Sequence, residues 1–273
     1  MDNRQPTGPS IASGSPERFG YEWSVYSGLR PEYEAQFRKW STPLTPKDWA
    51  GRTFLDVGCG MGRNSYWPMT YGAAGGAAVD LDDRSLQAAR MTLGRYPTVA
   101  VDKRSAYDLG YKDRFDIVFS IGVIHHLEFP ERALAEMVQA AKAGGRVLIW
   151  VYGLENNRWI VSVLDPLRRA LFSQLPIGIV HHLSLYPAAI LWAALRLGFG
   201  RIEYFQLIRR MEFSHLRSIV FDQLLPKIAN YWPRDTVLHL MQQAGLADVR
   251  LTWVNEMSWS AIGRKLPDAG ASK

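Results

Sequence analysis

Between residues 53 and 151, short apolar runs alternate with longer segments of helical pattern. The runs are "TFLDV" (53–57), "AAVD" (77–80), "TVAVD" (98–102), "FDIVFS" (115–120) and "RVLIWVY" (146–152). Most show no apolar–polar alternation, as expected of strands covered on both faces by helices. The intervening pattern predicts helices over Arg63–Tyr71, Arg84–Tyr96 and Pro130–Ala143. Asp82 or Asp83 is placed to cap the second, and Pro130 suits the first turn of the third. The "AGG" at 143–145 is expected to end that helix and turn the chain into the fifth strand.

After Tyr152 the alternation stops, and about eighty residues pass before a helix over Arg234–Ala244, then "DVRLTWV" (248–254) and "SWSAIGR" (258–264). One more helix and two more strands complete a seven-stranded, doubly wound α/β sheet. The intervening segment is apolar, helical by pattern and broken by Pro166, Pro176 and Pro187. It is too long for a loop and predicts a helical insertion, or lid, over the strand ends. The expected organisation is a disordered leader (1–18), an N-terminal helical segment (19–50), the core (51–152), a helical insertion (153–232), the final helix and two strands (233–265) and a tail (266–273).

Composition changes this picture little. The chain has 273 residues and one cysteine, Cys59, which excludes an internal disulfide and a multi-cysteine metal site. The polar N-terminus lacks the apolar core of a signal peptide, and the most apolar stretch, Leu183–Leu197, contains Pro187 and is too short to span a bilayer. A cytoplasmic location is expected. The net charge is +6, and residues 158–217 hold eight arginines against Asp165, Glu203 and Glu212, a local excess of +5 (8 − 3). Arginine without lysine suits recognition of a carboxylate or other anion, or a solvated helix face.

The chemistry begins at "FLDVGCGMGRNS" (54–65), where Gly58, Gly60 and Gly62 follow the first strand and open the first helix. Glycine there lets the backbone turn sharply and approach a ligand closely. The spacing is not that of a pyrophosphate-binding turn. Asp56 would repel a pyrophosphate and attract an ammonium group. Asp80, ending the second strand in "AVDLDD", can accept hydrogen bonds from ribose hydroxyls. The implied ligand has a ribose and a cationic, amino-acid-like end.

These motifs, with "FDIVFSIGVIHHL" (115–127) and the glycines after the third helix, resemble the class I S-adenosylmethionine-dependent methyltransferases. The resemblance is continuous over 53–151 and weaker over the last helix and two strands. More narrowly, "ERFGYEWSVYSGLRPEYEAQFRKW", "IWVYGLENN" and "FDQLLPKIANYWPRD" resemble bacterial small-molecule methyltransferases, of type 11/12 character, with an insertion after strand five. The resemblance implies a Rossmann-like sheet whose last strand runs antiparallel, an N-terminal lid over 19–50, a substrate cap over 153–232, S-adenosylmethionine as cofactor, S-adenosylhomocysteine as product and no metal. It implies that Asp56, Gly58, Cys59, Gly60 and Gly62 form the methionine-side loop, that Asp80 binds ribose and that Leu81 packs on adenine. Ser105 and Ala106 align with an Asp-Ala pair at the adenine amino group, with serine in place of the acid. Ser120 and Ile121 would border the methionine chain, and Trp23 and Tyr26 belong to the lid.

Histidine ionises near neutrality, and the loop after strand four lies at the ligand-binding edge, so His125 and His126 are the candidate proton acceptors. Tyr152, Glu155 and Asn156 follow strand five at the same edge and are candidates to act on or touch the acceptor. The expected activity is methylation of a small-molecule acceptor, a natural product, sugar or amphipathic metabolite, with oxygen as the methylated atom. An RNA acceptor is the alternative; the charge is weak for it and no RNA-binding module is recognisable. Methylation at nitrogen or carbon of a small or lipid-like acceptor, a peripheral membrane contact through the insertion, a homodimer and a non-catalytic cofactor binder are the other readings left open.

Overall fold

The structure is a computed structural model that describes residues 16–26 and 28–267. Residues 1–15 of the expected leader and 268–273 of the expected tail lie outside the described residues. The leader expected over 1–18 overlaps a helix, because Pro16–Arg18 are already the first turn of α1 (Pro16–Val25). Two further helices, α2 (Glu32–Trp40) and α3 (Pro46–Trp49), lead into the first strand.

Strands β1 (Thr53–Val57), β2 (Gly75–Asp80), β3 (Val99–Lys103), β4 (Phe115–Ile121), β5 (Ala141–Tyr152), β6 (Leu246–Val254) and β7 (Ser258–Lys265) form one sheet in the order β3-β2-β1-β4-β5-β7-β6. The first five are parallel, and β7 is antiparallel to both β5 and β6. Helices α4 (Arg63–Thr70), α5 (Asp83–Leu93), α6 (Pro130–Ala140) and α12 (Arg234–Gln243) complete the core. Two apolar clusters, one holding Leu55, Val118 and Ile149 and the other Phe54, Ile117 and Leu148, lie on opposite faces of the sheet. Alternate residues of one strand thus enter different cores, so the strands are apolar without alternation.

Two boundaries differ from the pattern. Helix α6 stops at Ala140, three residues before the expected end, because Ala141 already pairs with Phe115; the ladder then shifts register before Arg146 meets Ile117. The "AGG" therefore lies in an irregular start of β5. Asp82 caps α5, its carboxylate accepting from the amides of Arg84 and Ser85.

The insertion is helical throughout most of its length. A run of π-turns (Ile160–Leu164 and Arg168–Phe172) flanks the short α7 (Asp165–Leu167), and α8 (Ile177–Leu183), α9 (Leu185–Arg196), α10 (Glu203–Arg209) and α11 (Phe213–Leu224) follow. Arg168 is buried and ion-paired with Asp165. Arg18 ties α1 to this layer: its guanidinium donates to the carbonyls of Phe172 (2.7 Å), Ser173 (3.2 Å) and Leu175 (3.3 Å), oxygens that a helix end leaves without partners. α1 also rests on α5, where a Cβ on Gly20 would lie 1.8 Å from the Asp82 carboxylate, so only glycine fits the contact. The N-terminal helix and the insertion together roof the carboxyl ends of β1, β2 and β4.

Candidate active site

Strand order reverses between β1 and β4, and an open crevice forms where the connections diverge at the carboxyl ends. Here a cavity of about 710 Å³ runs from the glycine loop to the underside of the insertion. Its cofactor-side wall includes Gly58, Cys59, Gly60, Asp80, Leu81, Ser105, Ala106 and Ile121. The far wall comes from Trp23 on α1 and Tyr26 just after it, from His126 and Tyr152, and from the insertion.

The glycine loop is held from both sides. The amides of Gly58 and Cys59 donate to the Val79 carbonyl (2.8 and 2.9 Å), binding the β1 turn to β2. Gly58 has φ +76°, and a Cβ there would sit 2.4 Å from Val123 Cγ2; Gly60 has φ +53°, and its Cβ would sit 2.8 Å from Trp23 Nε1. At both positions the left-handed conformation and a close neighbour demand glycine. The Asp80 carboxylate accepts from the amides of Gly60 (2.9 Å), Leu81 (2.8 Å) and Asp82 (3.1 Å). Burial raises its pKa, and those amide donors hold it down against the rise. Oδ1 already takes two of these bonds, while Oδ2 takes only the one from Gly60 and keeps lone-pair capacity for a ligand hydroxyl.

Not every expected residue lines the cavity. Asp56 lies beneath the loop, 1% exposed, accepting from Ser65 Oγ at 2.7 Å, while its Oδ1 has no partner among the described residues. Burial pushes its pKa up to about 7, the Ser65 hydrogen bond opposes the rise and the Asp80 charge adds to it. Gly62 packs at φ +79° against Leu93 and Ala89 of α5, away from the cavity. Ser120 is buried, donating to the Val57 carbonyl at 2.8 Å, and locks β4 to β1. Ser105 and Ala106 reach the wall, and the Ser105 hydroxyl accepts from the Tyr107 amide at 3.1 Å.

The two histidines separate clearly. They stand in a 3₁₀ turn (Ile124–His126), where successive side chains diverge by about 120°. His125 is fully buried, wedged with its ring 4.0 Å from Tyr152 and 4.1 Å from His126, neither nitrogen having a partner among the described residues. Burial, then the His126 and Arg168 charges, drive its pKa well below the ordinary histidine value. His126 lines the cavity, and its Nδ1 lies 2.8 Å from the Ile228 carbonyl. A carbonyl only accepts, so Nδ1 carries the proton and the neutral ring keeps its lone pair on Nε2. Burial lowers the His126 pKa to about 4, the Ile228 bond opposing, so the ring is neutral at physiological pH.

Tyr152 is fixed by its neighbours. Its hydroxyl donates to Asp222 Oδ2 (3.2 Å) and accepts from Gln223 Nε2 (2.8 Å), and its ring stacks on Tyr231 at 5.3 Å. Burial raises the phenol well above its ordinary pKa, so it stays protonated. Glu155 and Asn156 point elsewhere. Glu155 accepts from the Arg234 amide (2.9 Å) and Trp259 Nε1 (3.1 Å), which fixes the start of α12, and Asn156 donates to the Glu256 carbonyl at 2.9 Å. Their neighbour Asn157 reaches the cavity instead, its Oδ1 without a partner among the described residues. Tyr26 bridges the roof, its hydroxyl 3.1 Å from His181 Nε2.

Three cavity residues carry charge that the sequence patterns did not assign. Arg63, opening α4, lies over the rings of Tyr33 (4.9 Å), Trp23 (5.0 Å) and Trp40 (5.6 Å) and has no ion-pair partner among the described residues. Glu22 from α1 and Asp222 from α11 form a hydrogen-bonded acid pair at the roof. Burial, then Asp222, raise Glu22 well above the carboxylate range, and burial raises Asp222 to about 6. One proton shared between them relieves the repulsion. The arginine of "GCGMGR" was visible as part of the motif; no local signal joins Glu22 to Asp222, 200 positions apart.

The residues on the cofactor-side wall fit S-adenosylmethionine. A glycine cradle, a carboxylate of the kind that accepts from ribose hydroxyls, the apolar Leu81 and Ala106 suited to a base, and an arginine suited to a carboxylate all line one cavity. Among the described residues no group of acids, histidines or cysteine is arranged to hold a metal.

Residues 55–149 match a family model described as a methyltransferase domain. Among curated relatives, a tRNA U34 carboxymethyltransferase of Klebsiella pneumoniae is 32% identical over 131 residues, covering 46% of this chain and 39% of that protein. The protein of the same name from Methylococcus capsulatus is 36% identical over 120 residues, covering 42% and 36%. The matched region thus spans about two fifths of these relatives. The fold is similar to the Burkholderia thailandensis 1,6-didemethyltoxoflavin-N1-methyltransferase, at TM-score 0.56 and 16% identity over 97% of this chain and 93% of that one. It is also similar to human N-acetylserotonin methyltransferase, at TM-score 0.55 and 12% identity over 93% and 57%. Residues 55–149 are thus a methyltransferase domain, and the sheet that carries them has the fold of the class I S-adenosylmethionine-dependent methyltransferases.

Proposed function

We propose that the chain methylates an oxygen of a small amphipathic acceptor held in the roofed cavity, with His126 taking the proton. One observation carries this reading: a single cavity joins the glycine loop and Asp80 to His126 under a roof made of α1 and the insertion. At about 710 Å³ it lies in the range of small-ligand sites, about 300–1,000 Å³. Asp80 holds the ribose hydroxyls, Leu81 and Ala106 flank the adenine, and Arg63 balances the methionine carboxylate. Asp56 places negative charge under the loop, on the side of the ammonium group.

S-adenosylmethionine, when bound, supplies a methyl group on an electrophilic sulfonium carbon. The protein aligns the acceptor and removes its proton. His126 is suited to deprotonation because it is neutral, its Nδ1 proton is committed to Ile228, and Nε2 remains as acceptor. Tyr152, committed to Asp222 and Gln223, orients rather than deprotonates. Glu22 and Asp222 place a negative pole at the roof, which favours uptake of a cationic cofactor. His125, Glu155 and Asn156 act as framework.

A second reading, an RNA acceptor, is favoured by the names of the relatives, but their similarity covers about two fifths of their length and centres on the cofactor domain. The experiment is transfer of a labelled methyl group from S-adenosylmethionine to a fractionated small-molecule extract and, in parallel, to bulk tRNA. Label in an extractable small molecule, base-stable as an ether, supports the proposal. Label in tRNA alone refutes it.

A further inference from the structure

The insertion exposes more apolar surface than its role as a roof requires. On α9 and its C-terminal cap, Tyr186, Ile190 and Leu197 recur at spacings of four and seven, one helical stripe, and Ile190 and Leu197 are 72% and 78% exposed. The π-turn segment presents Trp159, Val163 and Leu167 at spacings of four, all exposed. The two stripes meet at the cavity mouth, since Trp159 and Ile190 are exposed and line the cavity as well. A contiguous apolar surface of this kind, at the entrance to a site, marks a docking face.

Charge identifies the occupant. Arg158, Arg196, Arg201 and Arg210 are exposed around these stripes. The acids of the same region are already engaged: Asp165 with Arg168 and Arg169, Glu203 with Lys39, and Glu212 with Arg30. The face is therefore apolar with a cationic border, complementary to an anionic lipid surface. A 20-residue run, Ile177–Arg196, reaches membrane-spanning length, longer than the Leu183–Leu197 stretch judged from sequence, and only 17% of its most apolar window is buried. It lies along the roof rather than crossing a bilayer, because Val180, Ala188 and Leu195 are packed into the insertion.

We propose that the insertion docks through this face onto an anionic lipid bilayer, opening the cavity mouth toward the headgroup–acyl boundary. The docking stands on the surface itself; that the acceptor is an amphiphile taken from the bilayer rests on the reading under Proposed function.

The test is flotation of the full chain with vesicles of phosphatidylcholine alone and with about 30% phosphatidylglycerol, an anionic fraction chosen to attract a basic face. The variant is Tyr186→Glu/Leu197→Glu, two residues outside the cavity lining, with S-adenosylhomocysteine binding as the control for folding. The wild type is expected to float with anionic vesicles and to release in high salt; the variant should lose binding at least about tenfold while keeping its cofactor affinity. Wild type that stays at the bottom of the anionic gradient overturns the proposal, as does flotation undiminished in the variant. A dimer that the same substitutions split, without flotation, gives the face to a second copy. Salt-sensitive tRNA binding lost in the variant, again without flotation, gives it to RNA. If flotation fails while methyl transfer to a small molecule succeeds, only the docking is wrong.

Discussion

Asp56→Asn should make the protein without cofactor more stable at alkaline pH and weaker at binding its cofactor. The Asp56 carboxyl is buried and its pKa is about 7, against an ordinary 3.8. A raised carboxyl contributes fully below its unfolded pKa, and that stability is lost as pH rises through the folded value. Here the loss falls between about pH 4 and pH 7. Three units at 1.36 kcal/mol each amount to ~4 kcal/mol. Asparagine carries no such penalty, but its amide lacks a partner where Oδ1 now lies, an offset of ~1 kcal/mol. The net gain at pH 8 is ~3 kcal/mol, which is about 6–12 °C in Tm for a chain of this size. Near pH 4 the two proteins should be within about 1 kcal/mol of each other or slightly reversed. Thermal unfolding at pH 4.5 and 8, with calorimetric titration of S-adenosylhomocysteine, reads both effects. Cofactor affinity in the wild type should rise with pH through about 7, as ionised Asp56 attracts the ammonium group, and this dependence should vanish in the variant. A variant less stable than wild type at pH 8 would refute the reasoning.

Other substitutions probe separate parts of the site. Gly58→Ala places a Cβ 2.4 Å from Val123 in a left-handed turn and should destabilise by ~1–3 kcal/mol and abolish cofactor binding; Val123→Ala beside it should restore part of the stability, measured by denaturant unfolding. His126→Gln should leave cofactor affinity unchanged in calorimetry and slow transfer about 10²–10⁴-fold in a single-turnover assay. His125→Phe, which replaces a buried ring that has no polar partner among the described residues, should keep activity within a few-fold of wild type in the same assay. Asp222→Asn removes a carboxyl raised to about 6, so its Tm relative to wild type should increase as pH rises from about 4 to about 6.

The sheet was readable because its inner parallel strands β1, β2, β4 and β5 are buried on two faces and so appear as apolar runs. The glycine loop and Asp80 were readable because close backbone approach leaves few residue choices. The far wall was less so. Phase within a turn decides which residue faces a cavity, and it put His126 on the wall and His125 inside, and Asn157 on the wall rather than Glu155 or Asn156. Apolar periodicity over 160–172 suggested helix but carried no mark of π-turns, whose hydrogen bonds depend on packing. The Glu22–Asp222 pair is made by tertiary contact alone, between a helix at the start of the chain and one near its end.

The central claim is that the crevice beside β1, β2 and β4 holds S-adenosylmethionine with its ribose on Asp80. Calorimetric titration of S-adenosylhomocysteine into wild type and Asp80→Ala tests it most directly. The account predicts one site per chain in the wild type and at least about a tenfold loss of affinity in the variant, for a ribose hydrogen bond to the charged carboxylate of about 1.5–3 kcal/mol plus the released glycine loop. Equal affinity in the two proteins, or no binding to the wild type, would contradict it.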